Sequence, residues 1–140
     1  MNGQDFLRIS NEAFVPFLKQ LGFSVDKPSI SGRYYRVSFT GSAYYILVSY
    51  EPGDEVFFTM IFTRKDGKLS NIDNRAETLR LADLNNRYMT VVTIQERLEN
   101  ERFFESIKTN DRDERHLLKI AKELRLVLPK YIHCKDVPSN

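Results

Sequence analysis

One cysteine, two histidines and no long apolar run occur in this chain, and each scarcity narrows what it can do. Cys134 alone cannot form an internal disulfide, which suits a reducing compartment. His116 has no cysteine or histidine at ligand spacing. His133 and Cys134 are adjacent, and neighbouring residues in a strand point to opposite faces. There is no glycine-rich phosphate loop, nucleophile elbow or zinc-helix pattern. The opening MNGQDFLRIS lacks the cationic and apolar regions of a secretory leader, and no run approaches the length of a membrane span. The expectation is a cytoplasmic protein that is not an enzyme, needs no cofactor or metal, and does not engage a membrane. An excess of one charge is missing too. The 21 basic and 19 acidic side chains leave +2, and residues 1–70 hold 8 basic against 7 acidic, so the balance is even along the chain. Bulk attraction for nucleic acid is therefore not expected. The acidic group Glu51, Asp54 and Glu55 lacks EF-hand spacing and reads as a surface turn.

What is present is a 140-residue chain with 41% hydrophobic residues and 29% charged ones, ordinary for one globular domain. The domain is placed at residues 1–132, followed by a polar tail over 133–140. Phe6, Ile9, Phe14, Phe17, Leu18 and Leu21 recur at three- and four-residue steps, which predicts an amphipathic helix. Pro16 predicts a kink or a late start, and Gly22 a left-handed cap at its end.

Residues 33–64 are the richest segment and hold nine of the seventeen aromatic residues. Three runs of β-formers are separated by Thr40-Gly41-Ser42 and by Pro52-Gly53-Asp54, which predicts a three-stranded antiparallel meander. The alternation puts Tyr35, Val37, Phe39, Tyr44, Ile46, Val48, Val56, Phe58, Met60 and Phe62 on a core face. Tyr34, Arg36, Tyr45, Leu47, Phe57 and Ile61 fall on the other. A soluble antiparallel sheet usually keeps one face polar, so this second apolar face predicts a contact with a helix, a second copy or a partner.

A second helix is expected from Asn74, where Asn74 and Glu77 have capping-box spacing. Leu81, Leu84 and Tyr88 share one side of it, with Ala76, Leu79 and Ala82 nearly opposite. A helix apolar on two sides is generally buried on two sides, so Leu81, Leu84 and Tyr88 are candidates for a dimer interface. Residues 88–108 admit two readings. Tyr88–Ile94 is rich in β-branched residues and favours a hairpin with Arg102–Lys108, whereas Thr93 and Glu96 have the spacing of a helix cap. The hairpin is preferred. From about Asp111, Leu117, Ile120, Ala121, Leu124, Val127 and Leu128 form a helical stripe that Pro129 ends or kinks. Arg112, Arg115, Lys119 and Lys122 lie on its opposite, solvated side. The expected class is α+β, an antiparallel sheet (meander plus hairpin) packed with three helices in the order α-βββ-α-ββ-α.

That order, with the Leu84-Asn85-Asn86 end of the second helix and the final Leu-rich helix, resembles the type III secretion chaperone-like fold, which includes the YbjN family. The resemblance is topological and spans nearly the whole chain. It implies a homodimer that uses the second helix and the sheet, and a role in binding a protein segment. The functional expectation is a non-enzymatic protein-binding module, chaperone-like or of the inhibitor or immunity type, acting as a homodimer. The alternative is RNA or single-stranded nucleic acid stacked on Tyr34, Tyr45 and Phe57 beside Arg36.

Overall fold

The computed structural model describes residues 1–133. The expected polar tail, including Cys134, lies outside the described residues apart from His133, which closes the last helix. The chain is α+β, with one antiparallel sheet and five helices.

Helix α1 (Gly3–Ala13) starts from a reciprocal cap: the Asn2 side chain accepts the Asp5 N–H at 2.9 Å and the Asp5 carboxylate accepts the Asn2 N–H at 3.3 Å. The helix breaks at Phe14 and resumes as α2 (Val15–Gln20), whose first turn contains Pro16. A proline is tolerated there because the first-turn N–H groups have no partner within the helix. The expected kink is therefore present, and Gly22 at φ 92° follows α2 as the sequence predicted.

Two short strands, β1 (Ser24–Val25) and β2 (Ser29–Ile30), pair with β3 (Tyr35–Thr40). The meander continues through β4 (Tyr44–Glu51) and β5 (Val56–Lys65). Beyond β5 lie β6 (Lys68–Leu69), which forms a tight hairpin, and β7 (Thr78–Arg80), which pairs with Met60–Phe62.

The β4–β5 register differs from expectation. A three-residue turn at Pro52–Asp54 would align even residues with even ones. The connection uses a fourth residue, Glu55, which takes a left-handed conformation at φ 54°, so Glu51 pairs with Val56 and Ile46 with Ile61. Shifting a strand by one residue exchanges its faces. Phe57, Thr59 and Ile61 consequently join Val37, Phe39, Ile46, Val48 and Tyr50 on the core side, while Val56, Phe58, Met60 and Phe62 move to the other face.

Asn74 does not open the second helix. Its side chain accepts the Ala76 N–H at 3.1 Å in a tight turn, and residues 78–80 are strand. Helix α3 (Leu81–Tyr88) begins where the Asp83 carboxylate accepts the Arg80 N–H at 2.9 Å. Leu79 is thus a strand residue, Ala76 lies in the turn and Ala82 is exposed, so α3 has a single buried side. The hairpin over 88–108 is also absent. A 3-10 turn (Met89–Val91) leads to helix α4 (Ile94–Phe104), started by the cap in which Thr93 Oγ1 accepts the Glu96 N–H at 3.1 Å and Glu96 accepts the Thr93 N–H at 2.9 Å. Local capping outweighed the β propensity of Val91 and Val92, and residues 88–108 contribute no strand to the sheet.

Helix α5 (Arg112–His133) continues past Pro129 and does not end there. Asp111 accepts the Glu114 N–H at 2.8 Å at its start. The buried Glu114 accepts from Arg8 at 2.6 Å, tying α5 to α1. Leu117, Ala121, Leu124, Val127 and Leu128 are fully buried between the sheet and the other helices, as the stripe predicted. The leucines and the valine among them contribute roughly 1.5–3 kcal/mol each on burial. Ring contacts fasten the two layers: Phe14 stacks on Phe39 at 6.2 Å, Phe6 meets Tyr35 at 5.7 Å, and Tyr44 meets Tyr131 at 5.2 Å. The helices cover one face of the sheet.

Candidate protein-binding surface

The ladder fixes which side chains share the opposite face. Thr40, Tyr45, Phe62 and Thr78 form one row across β3, β4, β5 and β7. Ser38, Leu47, Met60 and Arg80 form the next, and Arg36, Ser49 and Phe58 the third. The outer strands β3 and β7 supply polar residues to these rows, whereas the β4–β5 strip between them is largely apolar. Phe58 is 46% exposed, Tyr45 and Phe62 touch ring to ring at 5.9 Å, and Leu47 and Met60 fill the centre. Met60 is buried yet does not belong to the helix-side core, which marks it as packed among its outer-face neighbours.

Charged groups frame the patch. The Arg36 guanidinium lies 3.9 Å over the Tyr34 ring, a cation–π contact that orients it while leaving its N–H donors free. Arg64 donates to the Gly41 carbonyl at the end of the β3–β4 turn. Arg80 flanks a shallow depression of about 200 Å³ whose floor is Met60 and whose walls include Ile72, Asp73 and Asp83. Across the sheet, Asp26 accepts from Ser38 Oγ at 2.9 Å and Thr40 Oγ1 at 2.8 Å, both through Oδ2. Among the described residues, Arg36, Arg64 and Arg80 belong to no salt bridge; the ion pairs lie elsewhere, chiefly on the helices, as in Arg8–Glu114, Lys122–Glu101 and Lys130–Glu96.

The candidate residues read from the sequence separate into two groups. Tyr34, Arg36, Tyr45 and Leu47 lie on the outer face or its rim. Phe57 and Ile61 do not: Phe57 is held 4.5 Å from both the Tyr50 and His116 rings, and Ile61 is 1% exposed in the core. Leu84 is fully buried and Leu81 nearly so in the contact of α3 with α5, and Tyr88 leans on Tyr131 at 6.4 Å. These three therefore pack within the chain. Phe58, Met60, Phe62 and Arg80 were missed as outer-face residues; the length of the β4–β5 connection is the signal that locates the three on β5.

Polar groups on the inner side serve packing. Burial and the hydrogen bond to Asp113 at 2.8 Å push the Tyr50 hydroxyl well above its ordinary range, so it stays a proton donor there. Burial likewise raises Tyr44 beside Tyr131, and desolvation lowers Arg125, which donates to Asn100 Oδ1 at 2.9 Å. A second apolar surface exists on α4 and the turn before it, where Val91, Ile94 and Leu98 are 60%, 79% and 51% exposed. No group of three or more metal-ligating side chains occurs among the described residues, and no helix is long and apolar enough to cross a membrane.

Comparison with protein-family models, curated proteins and solved structures found no match to this chain.

Proposed function

We propose that this chain is a non-enzymatic protein-binding module, chaperone-like in the sense of shielding an apolar surface of its partner, and that the outer face of the sheet is its binding surface. One observation carries the reading. The face opposite the helices holds Tyr45, Leu47, Phe58, Met60 and Phe62 in adjoining rows, where a solvated sheet face would carry polar residues. Phe58 is exposed, Tyr45, Leu47 and Phe62 are half-buried beside it, and apolar surface rimmed by charge is the usual character of a protein contact. The stacking alternative is less well supported. Of its three aromatic platforms Phe57 lies beneath the sheet, and Tyr34 already has Arg36 over its ring. Single-stranded nucleic acid needs free ring faces.

A photo-crosslinking amino acid at position 58 tests the proposal in the native cell, with the same group at exposed Lys119 on α5 as the control. Protein adducts at 58 that are absent at 119 are expected. Adducts to nucleic acid alone, or none at all, would overturn the reading.

A further inference from the structure

We propose that the free edge of β5 at Phe57–Thr59 takes up an extended strand of a partner protein, which continues the sheet in line with β7. This rests on the reading of the outer face as a protein-binding surface and names the form of the partner. The direction of the backbone groups carries it. In an antiparallel ladder successive residues turn their N–H and C=O groups alternately to one neighbouring strand and to the other. The Arg64 N–H donates to the Ala43 carbonyl, so the even residues of β5 address β4. The Thr63 N–H donates to the Glu77 carbonyl, so the odd residues address the β7 side. β7 ends at Arg80, opposite Met60, and so serves Ile61 but neither Thr59 nor Phe57. Among the described residues, the N–H and C=O groups of Phe57 and Thr59 have no partner on that side.

The chain beyond Arg80 does not cover this stretch. Helix α3 starts there and runs to Tyr88, which leans on Tyr131, itself against Tyr44. Tyr44 pairs with Thr63, so α3 travels toward the far end of β5, away from Phe57 and Thr59. Open edges are normally blunted by short strands, lysine or proline. The opposite edge follows that rule: β1 and β2 are two residues each, with Lys27-Pro28 between them. Val56–Thr59 holds neither lysine nor proline, and Val56 and Phe58 are exposed beside the free backbone groups.

The occupant follows from the same register. With Phe57 opposite Thr59 of a second copy, Val56 would fall opposite Met60 of that copy, where Arg80 already sits. Two copies therefore obstruct each other at this edge, whereas a single extended segment meets no such obstacle. Its backbone bonds Phe57 and Thr59, as in other cases of strand addition. Its side chain opposite Phe58 lands on the outer face, where an aromatic or β-branched group makes a favourable cross-strand pair.

Thr59→Pro, read with the position-58 crosslinker, tests the proposal. Proline is accepted in a strand where its missing N–H faces an edge, and the Thr59 N–H has no partner to lose. Thr59→Val is the control, since it removes only a hydroxyl that is buried without a hydrogen bond. Protein adducts at 58 should persist in T59V and fall about tenfold or more in T59P, where a donor is lost and the ring obstructs the edge. Undiminished adducts in folded T59P, or an equal loss in T59V, would overturn strand addition and leave the binding reading in place. If T59P does not fold, hydrogen exchange on the purified adduct of the otherwise unaltered chain decides. The Phe57 and Thr59 amides should exchange more slowly there than in the free chain, and equal rates would overturn the proposal. Adducts to a second copy of this chain alone would overturn the partner named here. With no protein adduct at 58, both readings fall.

Discussion

Ile46 and Ile61 face each other across the β4–β5 ladder, and both are at most 1% exposed. This pairing decides which aromatic side chains of β5 are core and which are surface. Phe58 and Met60 lie on the outer face because Ile61 does not.

The first prediction follows from that register. Ile61→Ala should cost about 2–4 kcal/mol of unfolding free energy, as large-to-small changes in a closed core do. Phe58→Ala should change it by about 0.5 kcal/mol or less, as at ordinary surface sites. Urea unfolding of the two variants distinguishes the arrangements, since the opposite order would place even residues in the core.

Leu84 is fully buried, beneath α5. Leu84→Ala should therefore lower stability by about 2–5 kcal/mol. Chemical denaturation checks it, and full stability in L84A would return α3 to the candidate interface.

Helix α4 stands on its cap. Thr93→Ala removes the hydroxyl that accepts the Glu96 N–H and should cost about 1 kcal/mol. Hydrogen exchange should show the loss concentrated in the first turn of α4.

Acid sensitivity has a defined sign. The Thr93 backbone N–H, and then Lys130, hold the Glu96 carboxyl below its usual value of 4.5. The Glu114 backbone N–H, and then the amino terminus, hold Asp111 below 3.8. A carboxyl depressed in the folded state contributes stability that is complete above its unfolded value and lost as pH falls through the folded one. Stability should thus decline below about pH 4.5, and Glu96→Gln should make that decline shallower. Thermal unfolding between pH 7 and pH 3 measures it, and an unchanged slope in E96Q would contradict the assignment.

Most of the architecture was legible because periodicity and caps are local. The Phe6–Leu21 pattern, the kink at Pro16, the pairing of β3 with β4 and the Leu117–Leu128 stripe all follow from spacing alone. The errors have a common origin, in choices that depend on distant context. Thr93 and Glu96 signalled a helix as clearly as Val91 and Val92 signalled a strand, and the reciprocal cap is the one that forms. Asn74 has cap chemistry, yet its turn feeds β7, because β5 offers Met60–Phe62 for pairing. On the candidate surface, Tyr34, Arg36, Tyr45 and Leu47 were legible from alternation in β3 and β4. Phe58, Met60 and Phe62 were not, since one added loop residue, Glu55, reverses the faces of β5.

The most direct measurement is hydroxyl-radical footprinting of the chain in its native lysate against the dilute purified protein. Tyr45, Phe58 and Phe62 should become protected in the lysate while Ile94 and Leu98 on α4 keep their reactivity. Phe58 equally reactive in both samples, or protection confined to Ile94 and Leu98, would contradict the outer sheet face as the binding surface.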